Sequence, residues 1–328
     1  MGKLVQIVMK NIVIGIGEVL WDVLKSTVPG VLDTKILGGA PANFVFHSRQ
    51  LGLEGIIVSA VGDDPDGCEI KDELASRGIR SLLKVVAGCA SGVVNATPQP
   101  DGETHYEIKQ NVAYDRIPYS PELDEYIPDV KAVCFGTLAQ RTGGDTCQTI
   151  RRFLSALGDD VYKVYDINLR PTCEIDECAD EIFVSSLELA NILKINQVEF
   201  PRLMKLLDIH EGSDEKNCHV LMDRFNLRAV VHSLGGDGSR IYYRNDRQQI
   251  EISDVDDVDI DKLAAELGVE KDPNADFVGA GDSLTAALIA GLVKGLPMHE
   301  AHVRASRVAT YVCTRQGAMP VLDERLLF

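Results

Sequence analysis

Short runs of β-branched and other apolar residues recur along the chain, separated by stretches whose apolar positions follow helical spacing. Asn11 to Gly17 (NIVIGIG), Gly55 to Val61, Val130 to Gly136, Val161 to Ile167, Ile192 to Ile195 and Arg228 to Leu234 are such runs. Near-continuous apolar character of this length predicts strands buried on both faces, as in a parallel sheet. Asn43 to Leu51, Cys68 to Arg77, Thr146 to Leu157 and Glu199 to Leu207 carry helical patterns between them. Strands alternating with helices give βαβ units, so the expected class is α/β, a Rossmann-like, mostly parallel sheet flanked by helices.

Two segments break the alternation. Trp21 to Leu37 and Cys89 to Tyr114 alternate polar and apolar residues around the turn signals Pro29-Gly30 and Asp101-Gly102, which predicts strands with one wet face. They are expected to pair into a small β lid outside the main sheet, able to keep water from a reacting site. Ser283 to Val293 reads as a buried helix, and the acidic run Asp254 to Asp261 as a solvated loop leading into a short one. Met9 directly precedes the first strand, so residues 1–10 read as an extension or a lead-in to it.

A net charge of −17 and a pI near 4.8 argue against a nucleic-acid partner, which would ask for clustered Lys and Arg. No apolar stretch suits a membrane span, and Leu4 to Met9 is too short for a signal peptide. Eight cysteines without a Cys-x-x-Cys pair fit reduced thiols, and the expected location is cytoplasmic. His299 and His302, three apart, could share a helix face, but no ligand cluster surrounds them.

The chemistry concentrates in a few turns. Asp276-Phe277-Val278-Gly279-Ala280-Gly281-Asp282 opens directly into the apolar helix. Amides in a helix's first turn have no intrahelical acceptor, so Gly279, Ala280 and Gly281 can hold a phosphate. Asp282 beside that anion site suits a general base, although an Asp near a helix start also stabilises the helix on its own account. Gly38-Gly39-Ala40-Pro41-Ala42-Asn43 is a second glycine turn, where Asn43 offers donor and acceptor to a hydroxyl, and Asp22 can accept from a polyol. Asn196 and Glu199 form a capping-box pattern, and the same pair can put Asn196 near phosphate oxygens and Glu199 near a hydrated Mg²⁺, the two readings being compatible. Asp166-Ile167-Asn168-Leu169-Arg170 ends a strand, where Arg170 can neutralise a transferring phosphoryl group. Ser233, Gly235 and Gly238 end another, as a nucleotide cradle or a plain tight turn. Gly15-Ile16-Gly17 has Leu20 where a dinucleotide fingerprint needs a third glycine, and no P-loop is present.

Together these motifs resemble the ribokinase-like (pfkB-type) carbohydrate kinases, from about Asn11 to Leu322 and in the family's order. The amino-terminal signature is similar to Gly38 to Asn43 followed by Leu51-Gly52 and Val61-Gly62-Asp63-Asp64, and the carboxy-terminal one to Asp276 to Asp282. The resemblance implies one kinase domain over residues 11–328, interrupted by a lid from about 21–37 and 89–114. It further implies Mg-ATP as donor, Asp282 as base, the Gly279 to Gly281 turn as anion hole, and acceptor contacts from Asp22, Gly38, Gly39, Asn43 and Asn168. Ser233, Gly235, Gly238, Asn196 and Gly317 would lie near the nucleotide, with Glu199 on Mg²⁺ through water. Gly17 to Asp22, Phe135 to Arg141 and Val112 to Asp115 look most like bacterial fructokinase-type sequences, which makes fructose the expected acceptor. Ribose, a keto-deoxy sugar acid or a nucleoside are the alternatives, and a non-catalytic sugar- or nucleotide-binding regulator is a third reading. Phe277 stands where the family usually has threonine, which counts against activation by a monovalent cation such as K⁺. The exposed lid edges give a reason to expect a homodimer, while a monomer fits the same residues.

Overall fold

A computed structural model describes residues 11–25, 32–98, 104–169, 179–256 and 259–328. The first half of the chain runs β1 (Ile12–Ile16), β2 (Leu20–Leu24), β3 (Thr34–Gly38), α1 (Ala40–Gln50), β4 (Glu54–Gly62), α2 (Pro65–Ser76), β5 (Arg80–Val86), β6 (Gly92–Pro98), β7 (Thr104–Ile108), β8 (Val130–Gly136) and α3 (Asp145–Ser155). The second half runs β9 (Tyr162–Asp166), α4 (Ala179–Leu189), β10 (Ile192–Asn196), α5 (Glu199–Leu206), α6 (Asp214–Phe225), β11 (Ala229–Ser233), β12 (Ser239–Arg244), β13 (Ile250–Val255), α7 (Ile260–Glu266), α8 (Ala280–Val293) and α9 (Met298–Val312).

Nine strands form the main sheet in the order β13-β12-β11-β10-β9-β8-β1-β4-β5. The pairs from β5 to β11 are parallel, and β12 and β13 close one edge antiparallel. Side chains alternate across β1: Ile12, Ile14 and Ile16 enter the core beneath α3 to α6, whereas Val13 enters the core shared with α1, α8 and α9. This double burial produces the continuous apolar runs of the sequence. The expected α/β architecture is the one observed.

The lid is a separate four-stranded sheet, β3-β2-β6-β7, drawn from the two segments with alternating pattern. Its inner strands β2 and β6 run parallel, which the hairpin signals alone did not reveal. Asp64 holds one base of the lid, accepting from the amide and hydroxyl of Ser91 at 2.8 and 2.6 Å. At the other base, buried Arg141 pairs with buried Asp115 at 3.0 Å and donates to the Lys109 carbonyl just past β7. The acidic run is a correction: Asp254 and Val255 belong to β13, where Asp254 pairs with Arg240 across the hairpin, so only its later part precedes α7. Residues 1–10, the expected extension, lie outside the described residues. Among the described residues no helix is long and apolar enough to cross a membrane.

Two fully buried histidines join distant parts of this fold. His47 on α1 donates from Nε2 to the Ala318 carbonyl at 2.8 Å, which leaves Nδ1 to accept from Gln50 at 3.4 Å and fixes a neutral ring. His302 on α9 lies between Ser239 and Ser253, and Ser253 also meets His299, so the two histidines share a hydroxyl. Burial lowers the pKa of His47 and of His302 to about 4. The unfolded chain therefore takes up protons near pH 6.5 that the native state takes up only near pH 4, so stability falls as pH falls through that window. Between pH 7 and pH 4 the parent is expected to lose about 3 kcal/mol more than His47→Gln, measured by chemical denaturation. Equal losses would show that His47 is not held neutral.

Candidate active site

The parallel strands end on one edge of the sheet, and the starts of α1 and α8 meet there. Asp282 lies in the first turn of α8, a helix buried from Asp282 to Gly291. Asn43, in the first turn of α1, donates from Nδ2 to Asp282 Oδ2 at 2.7 Å, joining the two glycine turns across most of the chain. Its other polar atom, Oδ1, is buried without a hydrogen-bond partner. Gly39 begins α1 with a φ of +112° and supplies no side-chain cap. The buried Glu18 carboxylate takes that role, accepting from the Ala40 amide at 3.2 Å. Asp22 on β2 turns its carboxylate onto the Cα face of Gly38, where any side chain would collide with it. Of the predicted acceptor residues, Asn43 bonds the predicted base, Gly39 starts the same helix, and Asp22 lies against the adjoining Gly38.

Asp276 braces the predicted anion turn. Its two oxygens accept from the Val278 and Gly317 amides, each at 3.0 Å. Gly279 has a φ of +80°, and a Cβ there would lie 2.7 Å from Ala318. Gly317, expected near a nucleotide, sits between this turn and the lid, facing Ile36 of β3, with its amide engaged by Asp276. The Ala280 amide makes a long 3.3 Å bond to the Phe277 carbonyl, while the Phe277 ring is 75% exposed.

Beneath the turn lies a group that the sequence reading overlooked. Lys194 occupies the middle of β10 between two buried apolar residues, its Nζ 3.1 Å from Asp166 of β9, with both side chains buried. Burial alone would lower its pKa, but the carboxylates of Asp166, Glu199 and Asp282 outweigh that, and it is raised above the usual lysine value. Burial raises Glu199, and the Lys194 ammonium only partly offsets this. Asn196 and Glu199 exchange hydrogen bonds, Glu199 N to Asn196 Oδ1 at 2.9 Å and Asn196 N to Glu199 Oε2 at 3.0 Å. The expected capping box is therefore present. Glu199 Oε1 also accepts from Leu169 at 2.7 Å, which fixes the segment holding Asn168 in its left-handed turn of φ +41°. Arg170 lies outside the described residues.

Among the described residues no three His, Cys, Asp or Glu side chains form a metal cage. Ser233 aligns with Asn196 on the neighbouring strand, and the Gly235 to Gly238 turn follows it. Gly238 lies against the backbone of Val255. Val255 in turn begins a groove of about 370 Å³ lined by Lys262, Leu263, Val303, Ser306 and Thr310 among others. No motif marked those residues, since α7 and α9 bring them together only in the folded chain.

A family profile described as pfkB family carbohydrate kinase matches residues 33–325. The chain is 26% identical to probable fructokinase-3 of Arabidopsis thaliana, over 95% of this chain and 89% of that one. It is 24% identical to 5-dehydro-2-deoxygluconokinase 2 of Bacillus cereus, over 89% and 84%. A crystal structure of a putative ribokinase II from E. coli with ATP and Mg²⁺ superposes with a TM-score of 0.71 at 21% identity, covering 94% of each chain. With its two glycine turns joined through Asn43 and Asp282, and a family match across nearly its whole length, this chain belongs to the pfkB family of carbohydrate kinases.

Proposed function

We propose that the chain transfers the γ-phosphoryl group of ATP to a primary hydroxyl of a sugar, with fructose as the acceptor. The observation that carries this reading is the 2.7 Å bond from Asn43 to Asp282, which leaves the buried Asn43 Oδ1 to receive an acceptor hydroxyl beside the base. Asp282 takes the hydroxyl proton as the sugar oxygen bonds to the γ-phosphorus. The bond from that phosphorus to the β–γ bridging oxygen breaks, and ADP leaves. A loose transition state puts most of the work on positioning and charge, which the Gly279 to Gly281 turn at the start of α8 supplies. Magnesium, held through water by Glu199 with Asp166 nearby, would neutralise phosphate charge. The groove beyond Gly238, where Val255, Leu263 and Val303 stand among charged and polar side chains beside the buried, unpartnered Ser306 hydroxyl, is the proposed seat of the nucleotide base.

The lid favours a neutral sugar. Ile36 and Val94 stand in register with Asp22 on its strands, so the face that carries Asp22 is otherwise apolar at that level. A sugar acid would ask for a cation, and the Arg141 guanidinium behind this face is paired with Asp115. The test is an acceptor panel of fructose, ribose, 2-keto-3-deoxygluconate and adenosine, followed by ADP release and product mass. Fructose is expected to give the highest kcat/KM. A higher value for the sugar acid would reverse the choice of acceptor, and binding of sugar and ATP without turnover would favour the non-catalytic reading.

A further inference from the structure

We propose that Lys194 is a positioning residue for phosphoryl transfer, its ammonium serving from beneath the Gly279 to Gly281 turn as a fixed positive charge of the site. This rests on the reading of Asp282 as base and of the turn as anion site. A lysine in the middle of a doubly covered strand gives up its hydration, which costs several kcal/mol unless other charges compensate. Leu193 and Ile195 on either side are fully buried, and nothing in the packing of β10 calls for a charge between them.

The position of the ammonium indicates what it serves. A Cβ on Gly281 would lie 2.9 Å from Lys194 Nζ, so the ammonium lies against the first turn of α8. Asp166 is its ion-pair partner, with Oδ1 3.1 Å from Nζ. The Glu199 oxygens already accept from Leu169 and Asn196. The charged and titratable groups around the ammonium are Asp166 from β9, Glu199 from α5 and Asp282 from α8, with the Cys134 thiol of β8 and Glu18 beyond. One cation thus stands among acidic groups at the point where a phosphate must approach a carboxylate. Removing it would leave the phosphoryl oxygens and the ionised base facing more of the negative charge of Asp166 and Glu199.

The test compares Lys194→Met/Asp166→Asn with Asp166→Asn, so that the ammonium is the difference and the double variant keeps no unpaired lysine or Asp166 charge. Both are assayed against pH with Mg-ATP and fructose, or with whichever panel sugar the parent phosphorylates. The double variant is expected to show a kcat about ten- to a hundredfold lower, and an acid limb of kcat/KM about one to two pH units higher. Coincident acid limbs would overturn the proposal, whether or not kcat falls, because a purely structural lysine would leave the limb in place. Failure of the parent to phosphorylate any acceptor would sink the kinase reading instead, so the two ideas fail separately.

Discussion

Replacing Asp282 by Asn is expected to lower kcat by about 10²- to 10⁴-fold, the usual cost of removing a general base. The substitution conserves shape, and the Asn carbonyl can still accept the 2.7 Å bond from Asn43. Position and packing at the start of α8 are therefore retained, and only proton acceptance is lost. Thermal unfolding should stay within a few degrees of the parent, and ATP and sugar should still bind by calorimetry. Turnover at the parent rate would remove Asp282 from the mechanism. Loss of sugar binding with an unchanged rate at saturation would make it a binding residue.

The same contact explains why the family's two signatures work as one site. Asn43 belongs to α1, whose start is set by Glu18 and by Gly39, and Asp282 belongs to α8, whose start is set by Asp276 and Gly279. Both helices lie on the same face of the sheet, beneath which Val13, Ala286 and Val308 share a core. A core change that shifted α1 against α8 would alter the Asn43–Asp282 distance before it altered either signature. Fold and chemistry are coupled at this point more tightly than by the lid.

Much of this was readable from residues alone, and the exceptions have physical reasons. β1, β4, β8, β9, β10 and β11 were legible because burial on both faces leaves a near-continuous apolar run. β5 was missed because it is the sheet edge and half exposed, and β12 and β13 because they form a hairpin rich in Arg, Tyr and Asp. The lid was legible as alternation, but its parallel β2–β6 pairing depends on contacts distant in sequence. At the candidate site, the two glycine turns were legible, and the fold joins them through Asn43 and Asp282. The lysine did leave a signal, a charge inside the apolar run Ile192 to Ile195, which demanded a partner that only the neighbouring strand supplies. The groove beside Gly238 left none, because its walls come from separate helices and a strand end, with no local pattern.

Gly279→Ala should remove at least about 10²-fold from kcat, comparable with deleting a donor from an anion hole. Two separate effects act at this residue. Its φ of +80° costs any L side chain about 1–2 kcal/mol. The new methyl would also meet the Cα, Cβ and carbonyl oxygen of Ala318 at 2.7 Å, and backbone atoms held by Asp276 and His47 have little room to give. Relief requires either rotation of the turn, which turns its amides from the phosphate, or retreat of the 317–318 segment, which withdraws its support from Ile36 in the lid. Gly295→Ala is the control, since Gly295 follows α8 with a φ of +83° and no atom within 4 Å of the added methyl. That variant carries the same backbone strain without the collision. It should lose stability in denaturant titration while keeping parent kcat, whereas an equal kcat in Gly279→Ala would mean that the turn does not hold the transferred phosphate.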